Sequence, residues 1–193
     1  MKLSEIATVR SGLVLSRKQA NGPSPYRYPL LTLKSIRPDS YIALDELDWY
    51  NAVEPLKPEY LTHVGDIIVR LSIPYTAVLI DENTEGMVIP SSFTIIRANR
   101  NHILPEYLFW LLNTKKVRQN IFENTTGNML GAIKPSYFSD FPVSPISLAD
   151  QAKVAALNNL ARQEIRLLTE LAEEKTKLYA ATLDKIQKDM RGK

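Results

Sequence analysis

The sequence predicts an α+β fold, a compact mixed domain with a small curved sheet, followed by one long C-terminal α-helix. Three observations predict it. Short runs rich in β-branched residues, separated by turn residues, fill the middle of the chain. Helix-opening signals follow them at Pro105. The composition then changes sharply: all 12 prolines lie at or before Pro145, and residues 148–191 contain neither Pro nor Gly.

Tyr28-Pro-Leu-Leu-Thr-Leu33 is a short apolar run near the start. Residues 65–70, 75–80 and 91–97 are expected strands, and the turn-rich segment 81–86 separates two of them. Their close succession points to an antiparallel meander or a small curved sheet. Residues 105–112 form an expected helix with Pro at a favoured first-turn position. A second helical piece covers about 115–123, and the polar stretch 124–128 reads as a loop. Two short helices on one side of a sheet make the domain α+β.

Ser147 is placed to cap the long helix, with Asp150 three residues on completing a capping-box pattern. Ala, Leu, Glu, Lys, Gln and Arg, all strong helix formers, dominate from there. About 42 residues at 1.5 Å each give a rod roughly 60 Å long. Val154, Leu157, Ala161, Ile165, Leu168, Leu171 and Leu178 mark one apolar edge in steps of mostly three and four. No other segment is long enough to cover that edge, so a second helix from another copy is the expected mate.

A chain of 193 residues with 45% hydrophobic and 23% charged content is an ordinary globular composition. The absence of cysteine excludes disulfides and thiolate metal sites and fits a reducing cytoplasm. Residues 1–10 lack the apolar run of a signal peptide. The longest apolar stretches, such as 107–112, are too short to span a bilayer, so no membrane partner is expected. The net charge of +3 is uninformative, but its distribution is not. Residues 1–40 carry seven Lys and Arg against Glu5 and Asp39, whereas residues 41–66 carry six acidic side chains against Lys57. Either the two blocks pair with each other, or the first forms a basic patch.

Catalytic constellations are missing. His63 and His102 stand in no ligand pattern, and there is no phosphate-cradling or dinucleotide-binding glycine motif. Asp39 and the Glu173-Glu174-Lys175 run match a metal-dependent nuclease only in letters. Asp45, Glu46 and Asp48 lack calcium-loop spacing and read as a solvated acidic turn. The chain is therefore expected to be no enzyme.

The order of motifs is more specific than any single one. Leu3-Ser-Glu-Ile-Ala-Thr-Val-Arg-Ser-Gly12 opens the chain. Val64-Gly-Asp-Ile-Ile-Val-Arg70, Ser92-Phe-Thr-Ile-Ile-Arg97 and Leu104-Pro-Glu-Tyr-Leu-Phe-Trp-Leu-Leu112 follow, then the Thr126-Gly127 loop. Phe141-Pro-Val-Ser-Pro-Ile-Ser-Leu-Ala-Asp-Gln151 leads into the long helix. The series resembles the target-recognition domain of type I restriction–modification specificity (S) subunits, across essentially the whole chain. The resemblance implies a non-catalytic subunit that selects the DNA sequence for separate methyltransferase and restriction subunits. S-adenosylmethionine, ATP and Mg²⁺ would belong to those partners, and this chain would carry no cofactor or metal. Such subunits usually hold two recognition domains separated by two long, antiparallel helices. This chain looks like half of one, with residues 1–147 as the DNA-reading domain and 148–193 as a helix for dimerisation and spacing. Two chains pairing as a homodimer would rebuild the whole. From charge and loop placement, the expected DNA-contacting residues are Arg17, Lys18, Arg27, Lys34, Arg37, Arg70, Tyr75, Thr126, Asn128 and Lys134. The competing readings are a helix-mediated protein–protein adaptor and a metal-dependent nuclease.

Overall fold

The computed structural model describes residues 1–125 and 133–191. Its centre is a four-stranded antiparallel sheet of β1 (Ala7–Ser11), β4 (Asp66–Arg70), β5 (Ala77–Leu79) and β6 (Phe93–Ala98), in the order β1-β6-β4-β5. β4 and β6 are the inner strands. Their β-branched runs, Ile67, Ile68 and Val69 with Ile95 and Ile96, are buried whichever way they point, as befits strands covered on both faces. The class is the expected α+β.

The connectivity is not a plain meander. β6 pairs with β4 on the side away from β5, so both edges of β4 are hydrogen-bonded. The reason lies in the chain between β5 and β6. Met87, Val88 and Ile89 are buried there, and Val88 bridges Leu30 on one side and Leu61 on the other. That segment seats a second sheet instead of turning tightly.

The second sheet is an antiparallel ribbon of β2 (Tyr26–Leu30) and β3 (Asp48–Ala52). β3 lies where the sequence reads mainly as acidic. Leu44–Glu46 does form a turn of 3-10 helix, but Asp48 begins a strand. Alternation explains it: Tyr50 and Ala52 are buried and Trp49 is exposed. Tyr50 and Ala52 pack with Leu13, Leu56 and Val88, and the Tyr50 hydroxyl donates to the Leu15 carbonyl at 2.7 Å. A separate cluster of Leu31, Ile36, Ile68, Val78, Ile80, Met87, Ile89, Phe93 and Ile95 fills the other side.

The helices follow their local signals. α1 (Pro105–Asn113) and α3 (Pro135–Asp140) each start on a proline, which has no N–H to lose there. α1 buries Leu108, Phe109 and Leu112 at helical spacing and packs on β4, β5 and β6. α2 (Lys115–Thr125) follows after Thr114. α3, which is not among the helices expected from the sequence, packs on β1. α4 (Leu148–Arg191) runs for 44 residues, about 66 Å of helix. The Ser147 hydroxyl accepts from the Asp150 N–H, as the capping pattern predicts, and itself donates to the Asp150 carboxylate in place of the pattern's backbone N–H. The chain forms two compact units, Met1–Ala152 and Lys153–Lys193, so the first residues of α4 belong with the first unit.

Gly12, at the end of β1, is held where its N–H donates to the Phe93 carbonyl at 3.2 Å. A Cβ there would meet the carbonyl oxygens of Ile89 and Pro90 closer than 3.0 Å. Both obstacles are backbone and cannot swing aside. Gly12→Ala is therefore expected to lower the unfolding free energy by about 2 kcal/mol or more, the cost of forced overpacking. A urea titration reads this as an earlier midpoint with an unchanged slope; a midpoint within error of the parent would refute the close approach.

Candidate nucleic-acid interface

The two charge blocks meet. The Arg10 guanidinium lies 3.2 Å from the Glu59 carboxylate, and the Lys34 ammonium lies 3.8 and 3.5 Å from Glu46 and Asp48. Lys18 pairs with Glu54, whose carboxyl its ammonium holds below the ordinary glutamate range. These pairs are solvent-exposed and individually weak. Their effect on the surface is nonetheless plain: three of the seven cations in residues 1–40 already sit beside carboxylates of residues 41–66.

Arg17, Arg27 and Arg37 differ. All three are exposed, and among the described residues none has an ion-pair partner within 4.0 Å. Arg17 ends a turn of 3-10 helix, Leu15–Arg17. Arg27 lies on β2, and its guanidinium rests 4.3 Å from the centroid of the Trp49 ring on β3. Lys134 is exposed and immediately precedes α3.

Two expected contact residues have other duties. Arg70 is half-buried; its Nε donates to Ser72 Oγ at 3.0 Å and its Nη1 to the Leu33 carbonyl at 3.3 Å, bracing the end of β4 against the loop that carries Lys34. Tyr75 is only 3% exposed, and its side chain belongs to the interior rather than to a reading surface. Thr126 and Asn128 lie outside the described residues. Trp49 and Asn51, which the sequence reading passed over, share the outward face with Arg27. Their signal was the alternation Asp48-Trp-Tyr-Asn-Ala52, obscured by the acids around it.

On α4, Leu157, Ile165, Leu168, Leu171 and Leu178 are exposed, while Val154 and Ala161 are half-buried. The line through Val154, Leu157, Ala161, Ile165 and Leu168 continues through Ala172, Tyr179, Leu183, Ile186 and Met190, with Lys175 interrupting it. Its mean spacing is about 3.6 residues, that of a straight helix face. Leu171 and Leu178 flank it. Among the described residues no group of three or more His, Asp or Glu is placed to hold a metal ion, and no helix is long and apolar enough to cross a membrane.

Gln151 anchors the beginning of α4. Its side chain is 0% exposed. Oε1 accepts from the Leu104 N–H at 2.8 Å, and Nε2 donates to the carbonyls of His102 and Ile146 at 3.2 and 2.8 Å. One amide thereby ties the start of α4 to the start of α1.

No family model matches the sequence, and no curated protein matches it. Solved structures do. The HsdS subunit from Thermoanaerobacter tengcongensis aligns with a TM-score of 0.62 at 17% identity, covering 92% of this chain and 45% of that one. A chain from a structure addressing complex assembly and conformational transition of the type I R-M system aligns with a TM-score of 0.60 at 18% identity, covering 92% of this chain and 46% of its own. The aligned share exceeds the first unit, so it includes residues of α4. The chain thus has the fold of a type I S subunit over this length, in agreement with the resemblance read from the motifs. It spans less than half of the chains it matches.

Gln151→Leu removes three hydrogen bonds and leaves a backbone N–H and two carbonyls without that partner. The expected cost is about 2–3 kcal/mol, typical of stranded buried polar groups. Urea unfolding followed by tryptophan fluorescence measures it; a loss under about 0.5 kcal/mol would show that the anchor is dispensable.

Proposed function

We propose that the chain is a sequence-specific DNA-recognition subunit of a type I restriction–modification system, reading one half-site and directing separate methyltransferase and restriction subunits. The observation that carries this reading is the S-subunit fold across 92% of the chain, domain and helix together. The exposed guanidiniums of Arg17, Arg27 and Arg37, none of them in an ion pair among the described residues, support it, with Lys134 as a further cation. Arginine and lysine side chains position a protein on phosphates, and side chains at base edges read sequence. Lys18 and Lys34 join only by exchanging their present carboxylates for phosphate. The chain is a reader and not an enzyme in this scheme. S-adenosylmethionine, ATP and Mg²⁺ act on the partner subunits, and the complex works in the cytoplasm, where its DNA is.

The exposed leucines of α4 supply the second half of the proposal. Burying one leucine side chain contributes about 1.5–3 kcal/mol. A stripe of them, repeated along one face, is a surface for a second helix. Two copies pairing through α4 form a homodimer with two readers, and two-fold symmetry then requires a split, inverted-repeat site. The stripe by itself also suits a protein–protein adaptor that never touches DNA, so DNA binding must be tested directly.

Duplex affinity is expected to fall steeply with salt, with a log–log slope of about −3 to −5 for four or five phosphate contacts per domain. A flat response in a fluorescence-anisotropy titration favours the adaptor. Leu168→Glu combined with Leu171→Glu is expected to convert dimers to monomers in light scattering, and an unchanged mass rules out this stripe as the seam. Mapping methylated sites in cells carrying the gene with its methyltransferase partner is expected to return a bipartite sequence.

A further inference from the structure

The proposal above leaves open which element meets the bases, and the second sheet answers it. β2 and β3 pair residue for residue, with Arg27 opposite Asn51, Tyr28 opposite Tyr50 and Pro29 opposite Trp49. Opposed residues share a face. Tyr28, Tyr50 and Ala52 take the inner face against the core. Arg27, Pro29, Trp49 and Asn51 make the outer one.

An isolated exposed apolar residue needs no explanation. Trp49, however, is 59% exposed and carries Arg27 on its ring. The contact restrains a guanidinium that otherwise loses several rotatable bonds on binding. The outer face also differs in charge from its surroundings. It holds one cation and no carboxylate, whereas the neighbouring Lys18 and Lys34 are matched by Glu54, Glu46 and Asp48. One of the three unmatched guanidiniums among residues 1–40 thus lies where an aromatic ring is also presented.

The residue types match one occupant. A two-stranded ribbon fits the DNA major groove. Arginine pairs bidentately with guanine O6 and N7, asparagine with adenine N6 and N7, and an apolar ring packs on the thymine methyl. We infer that the outer face of the β2–β3 ribbon is the base-reading surface, with Trp49 as its anchor and Arg27 and Asn51 as readers. The inference rests on the DNA-recognition reading. Tryptophan and arginine are equally at home in protein interfaces, which is the rival occupant.

The test uses the full chain with Trp110→Phe, leaving Trp49 as the sole tryptophan. The probe is a 5′-labelled pool of roughly 40-base-pair duplexes of mixed sequence, from which preferred sequences are selected; that length covers a split site of a few helical turns. The expected result is that Trp49 emission changes along the same curve as duplex anisotropy. Separately, in the otherwise unaltered chain, Trp49→Ala weakens the selected duplex about tenfold or more while keeping the salt slope. Arg27→Ala relaxes the selected sequence at one position, and Arg27→Lys does not restore it, because an ammonium lacks the bidentate fork. Trp49→Ala should keep the parental urea midpoint, so that lost binding is not lost folding. If the selected duplex binds while Trp49 emission stays constant and Trp49→Ala binds within about twofold, the ribbon assignment is overturned and DNA recognition stands. If no duplex binds at any salt concentration, the DNA reading itself fails and takes this inference with it.

Discussion

The ion pair between Asp66 and Arg97 holds the domain's two inner strands and its second sheet in one frame. The two residues face each other across β4 and β6. Arg97 Nε and Nη2 donate to the two carboxylate oxygens at 2.8 and 3.1 Å, and the carboxylate also accepts from the His63 N–H at 2.9 Å. The Asp66 side chain is almost wholly buried, and a lone carboxylate there would carry a large desolvation penalty. Fork-on-fork geometry with an extra backbone donor offsets it. Nη2 reaches further, to the Leu61 carbonyl at 3.1 Å. Leu61 bridges Val88, and Val88 bridges Leu30 at the end of β2. A continuous line of contacts thus joins the ribbon that carries Arg27 and Trp49 to one charge pair in the central sheet.

The start of the long helix is held by different means. Gln151 is uncharged, fully buried and satisfied by three backbone groups from two segments. A neutral amide carries little desolvation penalty once its donors and acceptor are met, yet its geometry is exacting. Leu104, whose N–H donates one of these bonds, directly precedes α1. α1 in turn packs on β4, β5 and β6. The anchor is therefore continuous with the sheet through a rigid helix and not through a loop.

What the sequence disclosed, and what it hid, follows the range of the forces involved. α1, α2 and α4 were legible because proline starts, caps and 3.6-residue periodicity act within a turn or two of chain. β4 and β6 were legible because strands covered on both faces need uninterrupted apolar runs. β1 was not, since Ala7-Thr-Val-Arg-Ser11 has little hydrophobic signature and becomes a strand by pairing with β6. β3 was masked by its acidic surroundings, and the strand order depends on buried Val88, which local pattern does not reveal. The candidate surface was half legible. The basic block was evident in the composition, and its mutual pairing with the acidic block stood as one of two outcomes. Which lysines would be matched required the fold. Tyr75 stood among the expected DNA contacts because burial of an aromatic ring is a tertiary fact.

The matched lysines bear on how this surface meets any polyanion. A polyanion that approaches Lys18 or Lys34 meets an ammonium already occupied by one of the molecule's own carboxylates, and to bind it must first evict an internal rival. Adhesion through these two ammoniums alone is thereby discouraged, and only an anion that also engages the unmatched guanidiniums offsets the eviction. The acidic block acts as a built-in competitor.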